Sequence, residues 1–318
     1  MSKHDKQYLE LLKKVLETGI IKDNRTDKKT ISLFNQKLEF DLSEGFPIYH
    51  SKKVLYEKAF KEMLWFLSGS TNIKDLPSDT VNIWKDWANQ DGEIGKGYGR
   101  QFRNIESFFI QSNLPIALMK KLNYNNISIT QEGTHKISPY EKIKIEFLSN
   151  AGWTYTYSVD QLLKVEHTLK NNPNDRRIII DLWNVNEIDE MNLPPCHLLT
   201  IFNVESGKLN TQLTMRSNDL FLGNPFNVCG YAMLTHLLAS TTNLEVGKLA
   251  INITDAHIYE NHVEQVKEQI KFLESNKEYD KVDFVIQNSQ KSIVNYKIED
   301  FCLLNYKSEK FLKGKVAV

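Results

Sequence analysis

Prolines at 194 and 195 stand directly before a cysteine and a histidine, in the run Leu193-Pro194-Pro195-Cys196-His197. Neither proline offers an N–H and each holds φ at about −65°, so no regular helix passes through this point and Cys196 is entered on a fixed path. The spacing predicts a thiol at the mouth of a strand, where a ligand can reach it. Downstream, residues 198–204 and 208–215 read as two strands joined by a turn at Ser206-Gly207, a hairpin that folds Arg216 back towards Cys196. A cation beside a thiol favours the thiolate, the nucleophilic form. The same span adds Ser217, Asp219 and, in an expected turn Asn224-Pro225-Phe226-Asn227, a carboxamide. A lone cysteine is more often a small core residue than a nucleophile. The diproline brace and the Arg-Ser pair favour the nucleophile here.

The 318 residues suffice for one large domain or two smaller ones, and a composition 41% hydrophobic and 25% charged supports a sizeable core. Forty basic and forty acidic side chains cancel. Without a global field, a dedicated nucleic-acid partner is not expected and any phosphate recognition must be local. Three cysteines with no C-x-x-C argue against a disulfide framework and against a zinc site, so no metal is expected and a reducing cytoplasm is the expected home. Neither a signal peptide nor a membrane span is predicted.

Helices are predicted at 6–18, stopped by Gly19, and at about 54–67, with a strand over 30–40 between them. The second helix carries Glu62 among apolar and aromatic neighbours, where burial without a partner would raise its pKa towards neutrality and suit it to proton transfer. Aromatics among glycines follow, Trp84 and Trp87 and then Gly95 to Gly99 around Tyr98, as a flat ligand or a packed core would require. Residues 104–157 change texture and read as a small inserted surface subdomain within a single 1–318 domain. Regularity returns at Ser158, expected to cap a helix that ends before Asn172-Pro173. Arg176 and Arg177 open a strand at 178–183, residues 229–241 read as a buried helix, and 248–254 as a strand leading into Asp255-Ala256-His257-Ile258-Tyr259.

Nine motifs occur in the order found in thymidylate synthases: Asp-x-Arg-Thr at 23–26, Glu62-x-Leu-Trp-Phe-Leu, Ile83-Trp84-x-x-Trp87, Tyr98-Gly99-x-Gln101, Arg176-Arg177-Ile, Leu193-Pro-Pro-Cys-His197, Arg216-Ser217-x-Asp219-x-x-Leu222-Gly223, Pro225-Phe-Asn227 and Asp255-x-His257-x-Tyr259. The chain resembles that family everywhere except roughly 104–157. The resemblance implies an α+β fold with a large mixed or antiparallel sheet packed with helices, one sheet face forming a homodimer interface. It implies reductive methylation of deoxyuridine monophosphate (dUMP) with 5,10-methylenetetrahydrofolate as one-carbon and hydride donor; a dUMP or dCMP hydroxymethylase is the alternative.

By the same resemblance Cys196 would add to C6 of the uracil. Arg25, Arg216 and Ser217 would hold the phosphate, with Arg176 and Arg177 crossing from the partner subunit. Asn227 would read the uracil edge, and His257 and Tyr259 the deoxyribose hydroxyl. Glu62 would organise proton transfer, and Tyr98 would assist loss of the C5 proton. Lys52, Trp84, Asp219 and Val318 would line the folate side. The chain departs from the family's common pattern at Tyr49-His50-Ser51, Met215 and Asn224, departures expected to bear on the folate tail and not on the pyrimidine.

Overall fold

The computed structural model describes residues 2–275 and 277–317. Its chain order is α1 (Lys3–Thr18), β1 (Ile20–Lys22), β2 (Thr30–Asp41), α2 (Tyr56–Ser68), α3 (Gly99–Arg103), β3 (Ile105–Ile110), α4 (Ile116–Tyr124), β4 (Gly133–Ser138), β5 (Glu141–Leu148), β6 (Gly152–Val159), α5 (Gln161–Asn171), β7 (Ile179–Asp181), β8 (His197–Glu205), β9 (Lys208–Asp219), α6 (Gly223–Thr242), β10 (Glu245–Tyr259), α7 (Val263–Ile270), β11 (Asp283–Ile286) and β12 (Phe301–Leu304). Six strands form one sheet in the order β1-β2-β10-β9-β8-β7. The β9–β10 pair is parallel and its neighbours are antiparallel, so the sheet is mixed as expected for an α+β chain.

Strand alternation decides which side is buried. Leu209, Leu213 and Met215 of β9 and Phe202 of β8 point into the core, where Thr235 of α6 donates to Thr211 Oγ1 at 2.8 Å. The opposite positions, Leu199, Ile201, Gln212, Thr214 and Asn252, are only partly covered or exposed. Helix α6 is apolar nearly all round and runs through the centre, with α2 crossing it at Gly230, where an added Cβ would stand 3.1 Å from Met63 Cε.

Three boundaries differ from the sequence expectation. Ser158 does not cap α5; it lies buried in β6, and Asp160 caps the helix by accepting from Leu163 N at 3.0 Å. The inserted stretch runs past Tyr157: β3, β6, β5 and β4 form a second sheet around Leu114, Leu118, Leu122, Ile143, Ile145 and Tyr155, extending to Val159. The segment Asn224-Pro225-Phe226-Asn227 is the first turn of α6, not a free turn. Proline is tolerated there because N–H groups of a first turn have no intrahelical acceptor. Among the described residues no helix is long and apolar enough to cross a membrane.

Candidate active site

Cys196 immediately precedes β8, and the pairing His197↔Met215 then Leu199↔Thr214 leaves Leu198 as an extra residue. Such a bulge re-aims the side chains beside it. Arg216 N donates to Cys196 O at 3.0 Å, so the hairpin does return Arg216 to the cysteine. The two prolines supply more than stiffness. Arg216 Nε donates to Pro195 O at 2.9 Å and its Nη2 to Pro194 O at 2.8 Å, so the diproline carbonyls anchor the guanidinium. Burial pushes the Cys196 thiol up, and the charges of Arg216 and Arg25 only partly offset it.

A cleft of about 640 Å³ opens here, lined by Cys196, His197, Arg216, Ser217, Asn218, Asp219 and Asn227 from the β8–β9–α6 region and by Glu62, Trp84 and Tyr98 from the facing side. Arg25 stands exposed at its rim, and His257, Tyr259 and Lys52 also line it. Arg176 and Arg177 do not line this cleft. Both are exposed just before β7, and Arg177 pairs with Asp175 at 2.9 Å. Val318 lies outside the described residues. Its neighbours Val316 and Ala317 line the cleft, and the tail is pinned where Lys315 O accepts from Asn261 Nδ2 at 2.9 Å, with His262 Nε2 at the same distance.

Glu62 hangs from α2 into the cleft, where, among the described residues, it accepts a single hydrogen bond, from Trp84 Nε1 at 2.7 Å. Burial raises its pKa to about 7, against the smaller opposing effect of that bond. The expected proton-transfer group is therefore poised near neutrality. Tyr98 is held in a strained backbone, φ 30° and ψ −91°, and Gly99 after it lies close against the end of α2: a Cβ on Gly99 would be 2.3 Å from Ser70 O. Its ring stacks on Phe66, 4.7 Å between centroids, and its hydroxyl accepts from Cys196 N at 3.1 Å. Trp84 packs edge-on to that ring at 5.1 Å and is itself buried, so less of its face is free than expected.

Lys52 is buried, its ammonium 3.7 Å from the centre of the Phe221 ring and bonded to the Phe221 carbonyl; burial lowers its pKa to about 7. Asp219 Oδ1 accepts from Phe221 N at 2.9 Å and Leu222 N at 3.2 Å, shaping the entry to α6. His257 lies 3.2 Å from Asp255 Oδ1 and 3.4 Å from Ser217 Oγ. That contact with His257, followed by bonds from Ser32 and Lys22, holds the Asp255 carboxyl well below the usual range. Ser32 and Lys22 were not singled out from sequence, since only the pairing of β1 with β2 and of β2 with β10 brings them to Asp255.

Asn227 makes contacts that the sequence did not suggest. Its Nδ2 donates to His197 Nε2 at 2.9 Å and its Oδ1 accepts from Asn218 Nδ2 at 2.8 Å. With Asn227 Nδ2 as donor, His197 is the neutral tautomer that accepts at Nε2. Burial agrees, lowering its pKa to about 3. His197 is thus no base for Cys196.

Residues 6–318 match the sequence model of the thymidylate synthase family. The chain is 39% identical to the thymidylate synthase of Mycoplasma pneumoniae over 318 residues, an alignment covering 98% of this chain and 99% of that protein.

Proposed function

The chain belongs to the thymidylate synthase family, its reaction is the reductive methylation of dUMP to dTMP with 5,10-methylenetetrahydrofolate, and we propose that the cleft described above performs it with Cys196 as nucleophile. The observation that carries this reading is the convergence of Cys196, Arg216, Asn227 and Glu62 in one cleft. The Cys196 sulfur, in its thiolate form, bonds to C6 of the uracil, and the nearby charges of Arg216 and Arg25 favour that form against burial. Arg216, Arg25 and Ser217 bind the phosphate. The carbonyl anchors on Arg216 hold its charge in place before ligand arrives.

Asn227 reads N3 and O4 of the uracil, while His257 and Tyr259 receive the deoxyribose hydroxyl. Glu62, poised near pH 7, exchanges protons at the uracil O4 side, and Tyr98 assists removal of the C5 proton. The apolar wall of Trp84, Trp87, Phe226, Leu222 and Val316 fits a flat pterin, with Lys52 and Asp219 completing that side. When bound, the folate supplies the one-carbon unit and the hydride. The chain's own task is then to exclude water, for which the apolar tail at 316–317 is already docked against the cleft.

The functional unit in this reading is a homodimer. The partly covered sheet face with Leu199 and Ile201, and the exposed Trp183 and Val185 beside it, support an interface there, and the exposed Arg176 and Arg177 would complete the partner's phosphate site. Residues 104–157 form an insertion in a single domain, and three free cysteines suit a reducing cytoplasm. The test is product analysis: with dUMP and methylenetetrahydrofolate the protein yields dTMP and dihydrofolate, and Cys196→Ser binds dUMP but yields neither. Hydroxymethyl nucleotide with unoxidised tetrahydrofolate would overturn the synthase reading. Near-parental turnover by Cys196→Ser would remove the nucleophile.

A further inference from the structure

Behind Asn227 runs a buried relay of polar side chains that the reaction itself does not use. Tyr49 OH donates to Asn224 Oδ1 at 2.8 Å, Asn224 Nδ2 to Asn218 Oδ1 at 2.8 Å, and Asn218 Nδ2 to Asn227 Oδ1 at 2.8 Å. Asn227 Nδ2 ends it on His197 Nε2 at 2.9 Å. Tyr49, Asn224 and Asn218 are 1%, 0% and 3% exposed, so none can turn to solvent for a substitute partner. The Tyr49 ring is clamped, stacked on Tyr8 with 3.9 Å between centroids, and Tyr306 OH donates to its carbonyl at 3.1 Å. Both amide-to-amide links run nitrogen to oxygen in the same sense. Rotating a single amide by half a turn would set oxygen against oxygen or nitrogen against nitrogen at each amide-to-amide contact it makes, which the buried setting penalises.

A carboxamide has two acceptor and two donor positions. The relay uses one of each on Asn227, on its flanks, and leaves one lone pair and one N–H for a ligand. Uracil presents an N3–H donor beside the O4 acceptor; cytosine presents an N3 acceptor beside an amine donor. One sense of the amide matches uracil, and the reversed sense matches cytosine. Resting on Asn227 as the reader of the pyrimidine edge, we propose that Tyr49, Asn224 and Asn218 are positioning residues that fix the sense of the Asn227 amide and thereby select the uracil over the cytosine nucleotide. The departures at Tyr49 and Asn224, expected from sequence to bear on the folate tail, act on the pyrimidine instead.

Asn224→Asp tests the relay directly, because a carboxylate has no N–H. Asn218 must then turn its Nδ2 towards the new carboxylate and its Oδ1 towards Asn227, and Asn227 follows. The ratio of dUMP to dCMP affinity should fall by about tenfold or more. Tyr49→Phe removes one oxygen and leaves the packing, and Asn224→Leu removes the first amide of the relay. Each should lower the same ratio several-fold, raising KM for dUMP more than it lowers kcat. Asn227→Asp, measured alongside, tests the underlying reading. If it leaves discrimination unchanged, Asn227 is not the reader. If it relaxes discrimination while folded Tyr49→Phe and Asn224→Leu proteins keep the parental ratio, the relay has no role in selection.

Discussion

At Glu62 one hydrogen bond decides little and burial decides much. The carboxyl titrates near 7 because desolvation outweighs the Trp84 N–H, and the folded pKa stands above the unfolded value of 4.5. The sign follows: the proton retained by the folded state stabilises it fully below pH 4.5, and this is lost as pH rises to about 7, a swing of about 3 kcal/mol. Glu62→Gln does not titrate. It should therefore gain stability relative to the parent as pH rises across that window, measured by denaturant unfolding at pH 4.5 and 7.5. Its kcat should fall by ~10²–10⁴ and lose the inflection near pH 7. An unchanged pH–rate profile would remove Glu62 from proton transfer.

At the scale of elements, the junction of α2 with α3 positions the site. Gly99 lies against Ser70 O, and the strained Tyr98 before it reaches the Cys196 N–H. Gly99→Ala cannot be absorbed by a flexible neighbour, because the obstructing atom is backbone. It should destabilise the fold by about 2 kcal/mol or more and lower kcat by displacing Tyr98. Gly207→Ala is the contrast. Its φ of 79° is strained for alanine but nothing lies within 4 Å, so it should cost about 1 kcal/mol and leave kcat unchanged. Equal effects of the two changes on kcat would mean that Tyr98 is not placed by this contact.

For the whole molecule, Arg25 belongs to its own chain's cleft, whereas Arg176 is exposed away from it. Arg25→Ala and Arg176→Ala proteins, each weak alone, should recover activity when mixed under conditions that exchange subunits. A heterodimer concentrates both defects in one site and spares the other, so recovery should approach a quarter of parental activity, about half of the dimers having one intact site of two. No recovery despite demonstrated exchange would mean that each arginine serves its own chain.

Local chemistry made part of this protein legible. The helix α1 and the strands β2, β8 and β9 followed from periodicity and turn residues, and the prolines before Cys196 marked the thiol as held on purpose, because these signals lie within a few residues of each other. Ser158 misled because a capping signature competes with strand pairing, and β5 and β3 on either side of β6 won. What only the tertiary structure decided is protonation and amide sense. The Cys196 thiol, despite its arginine neighbour, is pushed up by burial, and Tyr49, distant in sequence, is brought to Asn224 only by folding. Residue types state which bonds are possible; how much water is excluded, and which partner remains for each buried donor, depends on the packing of the whole chain.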